Sequence, residues 1–142
     1  MVNMEKLSYV GFWFGGLRCE EDVRRTAGAL REIGYKGVDF KDTCFDTSVH
    51  PLHRMLEIAV LAAAKEDMTV PCTIRLRDHC SIENWKKNAE DTCQFIKMSA
   101  DAGIKLVNTS IGSAGPRIAR DWYLPNTRSD GAAWDALKGS LE

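Results

Sequence analysis

The sequence has no hydrophobic run able to span a bilayer. Its longest strongly apolar stretch is residues 58–64, against the roughly 20 residues that a spanning helix needs. It also has no run of five or six like charges, and its 19 basic and 20 acidic side chains leave a formal net charge of -1. Membrane and nucleic acid are therefore not expected partners. Cysteine is unpaired in pattern: Cys19, Cys44, Cys72, Cys80 and Cys93 are odd in number and include no C-x-x-C. Reduced thiols serving as small core residues explain them better than a disulfide framework or a zinc site. Residues 1–6 place no apolar stretch behind a basic start, so no signal or transit peptide is expected and a cytoplasmic location is.

What the sequence does have is a recurring unit: a short β-rich run, a polar loop, an amphipathic helix ending in glycine, and another β-rich run. Residues 7–12 read as the first strand. In residues 20–33, Val23, Ala27, Leu30 and Ile33 fall at helical spacing, and Gly34 stands where a left-handed cap belongs. Residues 37–41 are the second strand. Pro51 opens a second helix with Leu52, Met55, Leu56, Ala59 and Ala63 on one face. Residues 70–76 are the third strand, and Ser81 caps a third helix with the expected face Ile82, Trp85, Ala89, Cys93, Ile96 and Ala100. Gly103 stops that helix, residues 104–111 are the fourth strand, residues 112–131 a loop with three glycines and two prolines, and residues 132–141 the start of a fourth helix.

Strand midpoints at Tyr9, Asp39, Ile74 and Val107 are 30, 35 and 33 residues apart, the length of one strand plus one crossover helix. Strands joined in this way run parallel, so the expected class is α/β.

Ligands of parallel α/β sheets bind beyond the carboxyl ends of the strands, which restricts the search for chemistry. Trp13 and Phe14 follow the first strand and could stack on the apolar face of a sugar. The second strand delivers Asp39, Lys41 and Asp42; the third delivers Arg75, Arg77, Asp78 and His79. Two-residue alternation sets Val38 and Phe40 against Asp39 and Lys41, and Ile74 and Leu76 against Thr73, Arg75 and Arg77. With the apolar members on helices, an interior Asp39–Arg75 ion pair is expected. Asn108 ends the fourth strand in a Gly/Ser loop suited to sugar hydroxyls or phosphate, without the P-loop lysine or the dinucleotide glycine pattern. His50 and His53 are too weak a pair to read as metal ligands. No Ser, His and acid set presents itself.

Gly34-Tyr35-Lys36-Gly37-Val38-Asp39 and the stretch Ser99-Ala100-Asp101-Ala102-Gly103-Ile104-Lys105-Leu106-Val107-Asn108 resemble the glycine-linked lead-ins to strands two and four of the xylose-isomerase-like TIM barrels. Gly131-Ala132-Ala133-Trp134-Asp135-Ala136-Leu137 is similar to the helix after that family's substrate loop. The resemblance covers residues 1–142 and implies the first four βα units of a (β/α)8 TIM barrel, with a substrate-loop region at about 112–131. A whole barrel takes about 250 residues, so the chain reads as the N-terminal half of a longer protein.

The activity implied is that of a metal-dependent sugar or sugar-phosphate isomerase or epimerase. A lyase or dehydratase acting on a cyclic polyol or keto-sugar, and a non-catalytic half-barrel that assembles with itself or a partner, are the alternatives. In that family a divalent metal (Mn, Mg, Co or Zn) is held mainly from strands five to eight, so no metal ligand is assigned to this chain, and alone it is expected to be inactive. Its expected contribution is substrate contact through Trp13, Phe14, Arg75, His79, Asn108 and Trp122, with a small-molecule sugar or sugar phosphate as partner and a homo-oligomer as a possible state.

Overall fold

In the computed structural model the described residues are 8–11, 15–79, 81, 83–110, 135 and 138–141. They form an α/β structure in which four parallel strands alternate with helices. The strands are β1 (Ser8–Gly11), β2 (Gly37–Lys41), β3 (Cys72–Ile74) and β4 (Leu106–Asn108), hydrogen-bonded in the order β1-β2-β3-β4. The helices are α1 (Glu20–Ile33), α2 (Leu52–Lys65) and α3 (Trp85–Asp101). The chain divides into two compact units, Met1–Arg75 with Ile96–Asn108, and Leu76–Phe95 with Thr109–Glu142. All four strands belong to the first.

The three helices end the same way. Each closes with one left-handed residue whose N–H returns to a carbonyl three residues back, while the next N–H reaches back five. Gly34 (φ 108°) and Tyr35 donate to Arg31 and Leu30 at 2.9 and 3.1 Å. Gly103 (φ 83°) and Ile104 donate to Ala100 and Ser99, both at 2.9 Å. α2 makes this closure without glycine: Asp67 (φ 54°) and Met68 donate to Ala64 and Ala63 at 3.1 and 3.0 Å. This turn aims each helix exit back toward the next strand. Gly37 is glycine for a different reason, because a Cβ there would meet Ser8 Oγ at 3.0 Å and Pro71 Cδ at 3.2 Å.

The core of the first unit is Val23, Ala27 and Leu30 of α1, Val38 and Phe40 of β2, and Met55, Leu56, Ala59, Ala62 and Ala63 of α2, all buried. Phe40 packs on Phe45 with ring centroids 5.5 Å apart. Around this core Arg24 pairs with Glu66 at 2.7 Å, and Lys65 of α2 pairs with Glu20 of α1. At the start of α1, Cys19 offers no side-chain cap; Asp22 compensates by reaching back to accept the Arg18 N–H at 3.0 Å.

The expected alternation holds in β2 and fails in β3. Phe40 lies opposite Thr73 and Lys41 opposite Ile74, so Thr73 shares the face of Phe40, and Ile74 that of Lys41. The reason is polar satisfaction: Thr73 is fully buried because its hydroxyl meets Ser99 Oγ at 2.9 Å.

The expected face of α3 is likewise rotated. Cys93, Ile96 and Ala100 are exposed, and the buried positions are Thr92, Phe95 and Ser99. A stripe built from one aromatic ring and two hydroxyls escapes a reading that counts only apolar residues. Ser81 does cap the turn leading into α3, accepting the Asn84 N–H on Oγ at 3.2 Å. Strands three and four are shorter than their sequence signals, and of the expected last helix, residues 135 and 138–141 are helical. Among the described residues no helix is long and apolar enough to cross a membrane.

Candidate functional site

Polar side chains gather in the segments that follow the carboxyl ends of the strands, in each unit separately. In the first unit, Arg75 Nη1 stands 3.2 Å from Asp42 Oδ2, with side chains 11% and 8% exposed. Strand register explains why the expected Asp39–Arg75 pair does not form. Phe40 opposes Thr73 and Lys41 opposes Ile74, so the next residue along, Asp42, arrives beside Arg75, while Asp39 sits three residues behind. Asp42 also accepts the Thr43 N–H at 2.9 Å, and the Arg75 N–H donates to the Asn108 carbonyl at 2.9 Å. Asn108 thus takes part through its backbone, and its side chain is exposed.

Asp39 accepts instead from Ser8 Oγ at 2.8 Å. Burial holds its carboxyl above the ordinary carboxylate range, against the lowering effect of the Ser8 hydroxyl and the Cys72 backbone amide. Between β1 and α1, Gly15, Gly16, Leu17, Arg18, Asp22, Arg25 and Thr26 line a shallow groove. There the Arg18 backbone amide, followed by the nearby guanidinium groups, holds Asp22 below the usual carboxylate range.

In the second unit the segment from Arg77 to His79 is pinned at successive positions. Arg77 Nε donates to Asp91 Oδ2, and its carbonyl accepts Ser110 Oγ at 2.8 Å. Asn88 Nδ2 donates to the Asp78 carbonyl at 2.7 Å. His79 is 6% exposed, and its Nε2 lies 3.3 Å from both Thr92 Oγ1 and Thr109 Oγ1. Its Nδ1 is buried and has no hydrogen-bond partner among the described residues. Burial lowers the imidazole pKa most; Asp78 raises it and Arg77 lowers it further. Burial thereby favours the uncharged form of the ring. An orphaned buried polar atom of this kind costs about 1–3 kcal/mol.

Of the residues read from the sequence as substrate contacts, the structure buries His79, leaves Arg75 partly buried and leaves Asn108 exposed. Trp13, Phe14 and Trp122 lie outside the described residues, as does the loop at 112–131. The sequence reading missed Asn88, Asp91 and Thr92 on α3 and the part played by Thr109 and Ser110. A signal for the first three was present: Asn88, Asp91, Thr92 and Ser99 fall at helical spacing on one side of an amphipathic helix. The free cysteines among the described residues are Cys19 and Cys93, exposed, Cys72, half-buried, and Cys44, buried. Comparison with known protein families, characterised proteins and solved structures finds no match to this chain.

Proposed function

We propose that the chain contributes four βα units of a xylose-isomerase-like TIM barrel, and with them the substrate-contacting wall of a metal-dependent sugar or sugar-phosphate isomerase or epimerase. The support from the fold is the parallel strand order with a helix between successive strands, the arrangement that a TIM barrel repeats eight times. The observation that carries the reading is the segment that follows β3 in sequence, where His79 is buried with one ring nitrogen unpaired among the described residues. A buried polar group left unpaired among the described residues supports a position that a substrate completes.

Three or more His, Cys, Asp or Glu side chains placed to hold a metal ion do not occur among the described residues, so these residues do not fit the metal and no step is derived through it. Their part is binding and orientation. His79 offers a neutral imidazole nitrogen, Thr92 and Thr109 fix the ring, and the Asp42–Arg75 pair braces the ends of β2 and β3. The rings of Trp13, Phe14 and Trp122 supply stacking surface for the C–H face of a sugar in this reading.

The test is an NMR titration of the 142-residue chain with D-fructose and, separately, D-fructose 6-phosphate. Backbone amides in residues 75–79 and 108–110 are expected to shift with at least one of the two. If neither sugar moves any amide at saturating concentration, the reading fails.

A further inference from the structure

α3 is one unbroken helix, Trp85–Asp101, and it carries two rows of side chains. The row Thr92, Phe95 and Ser99 is buried. Beside it runs a second row, Ala89, Cys93, Ile96 and Ala100, at steps of four, three and four. Those steps are the a and d positions of a coiled coil, the spacing by which one helix packs along another. Most of this row is open: Cys93 and Ala100 are exposed, and Ile96 is 47% exposed. One turn before Ala89, on the same side, Trp85 already has a neighbour, because a Cβ on Gly139 would stand 2.6 Å from its ring. The open row begins beyond that contact.

Charge along one edge of the row identifies what covers it. Lys86, Glu90, Lys97 and Asp101 are exposed, and Glu90 and Lys97 each follow a d position, which places them beside the seam where interhelical ion pairs form. Their signs alternate along the helix, and the pairs Glu90–Lys97 and Lys86–Asp101 share one midpoint, between Cys93 and Gln94. Turning a second α3 end for end about that midpoint brings the same edge of both helices together and sets an opposite charge before each of the four. A parallel two-fold pair sets like against like instead. We infer that α3 pairs antiparallel with α3 of a second copy of this chain, through the seam Ala89, Cys93, Ile96 and Ala100. The contact is isologous, so it carries two central ion pairs, Glu90 with the partner's Lys97 and Lys97 with the partner's Glu90. Lys86 also lies over the Trp85 ring, 5.4 Å from its centroid, so the central pairs carry most of the complementarity. This pairing does not depend on the sugar-binding reading, and the two fail separately.

Sedimentation equilibrium of the intact 142-residue chain, from micromolar to millimolar concentration, reads the association. A monomer–dimer equilibrium that weakens with salt is expected. Ile96→Glu, on the open seam, should abolish it. Glu90→Lys and Lys97→Glu each turn both central pairs into like-charge contacts and should weaken dimerisation about tenfold. An equimolar mixture of those two single variants regains opposite charges at both pairs and should associate about as tightly as the wild type. A parallel contact, or a contact through another face, gives no such recovery. Far-ultraviolet circular dichroism checks that every variant keeps its helices. Thiol labelling of Cys93 should slow as the chain is concentrated, while that of exposed Cys19 should not. A chain that stays monomeric at every concentration overturns the inference and leaves the row to a helix of other origin. A dimer that survives Ile96→Glu, or single variants whose mixture shows no recovery, also overturns it.

Discussion

Replacing Asp42 by asparagine separates a buried ion pair from a surface one. Asp42 and Arg75 are 8% and 11% exposed with the charged atoms 3.2 Å apart, so both side chains are largely withdrawn from bulk water. Asparagine keeps the shape of Asp42 and an oxygen to accept the Thr43 N–H, but it removes the carboxylate charge that faces the guanidinium. Removing one partner of a buried pair costs about 3–5 kcal/mol, against roughly 0–1 kcal/mol for an exposed pair. At about 2–4 °C per kcal/mol for a domain near this size, the lower figure corresponds to a fall in Tm of roughly 6–12 °C. Arg75→Met strands the carboxylate instead, and the double variant removes both charges. The two single losses are then expected to exceed the double loss by about 2 kcal/mol or more. Urea unfolding followed by far-ultraviolet circular dichroism on all four proteins completes the cycle. Single losses below about 1 kcal/mol, adding within roughly 0.5 kcal/mol in the double variant, would refute the buried pair.

The helix ends make a second prediction. Asp67 holds the left-handed position that glycine fills after α1 and α3, and its ion pair with Arg31 at 3.6 Å is 87% exposed on the aspartate side and contributes little. Relief of about 1–2 kcal/mol of left-handed strain, less about 0.5–1 kcal/mol for the freer unfolded glycine, should leave Asp67→Gly about 0.5 kcal/mol more stable; a lowered urea midpoint contradicts this. Thiol labelling under native conditions should modify Cys19 and Cys93 first and Cys44 only on unfolding, because Cys44 is buried and its thiol pKa is pushed up by that burial; mass spectrometry of peptides at timed intervals reads the order. The lowered pKa of His79 means that the unfolded chain takes up a proton near pH 6.5 that the folded one resists. Its contribution is complete above that pH and is lost as the pH falls below it. Stability should therefore drop from pH 7 to pH 5.5 more steeply in the wild type than in His79→Phe, and parallel slopes would exclude His79 as the source.

Helix and strand order were legible because hydrophobic spacing and capping glycines are local signals. The run Val23, Ala27, Leu30 followed by Gly34 needs no knowledge of the rest of the chain, and the bounds of α1 follow from it. The Asp67 closure carries no glycine, yet the helix before it ends where the apolar face runs out. Pairings across strands were not legible to the same degree. Asp39 and Asp42 are equally plausible partners for Arg75 until the register sets residue 42 beside residue 75, and register is a property of two segments at once. The face of α3 was misread for a related reason: Thr92 and Ser99 are buried because a partner hydroxyl or imidazole waits for each, and nothing in their own neighbourhood of sequence announces that partner. His79 was found by its place after a strand, whereas the atom that makes it notable, Nδ1, could be identified only once Thr92 and Thr109 were seen to occupy the other side of the ring.

That difference in satisfaction distinguishes the polar group of the first unit from that of the second. Asp42 and Arg75 meet each other, and each has a backbone contact besides, from Thr43 to Asp42 and from Arg75 to Asn108. A ligand contacting either would first have to break a pair whose loss costs about 3–5 kcal/mol, so the pair's role is to hold the ends of β2 and β3 in place. His79 is the reverse case. Its Nε2 is held, and its Nδ1 has no hydrogen-bond partner among the described residues. Arg75, read from sequence as a substrate contact, is on this argument a brace of the first unit, whereas the function proposed above gives binding to His79 of the second, whose Nδ1 is unpaired among the described residues.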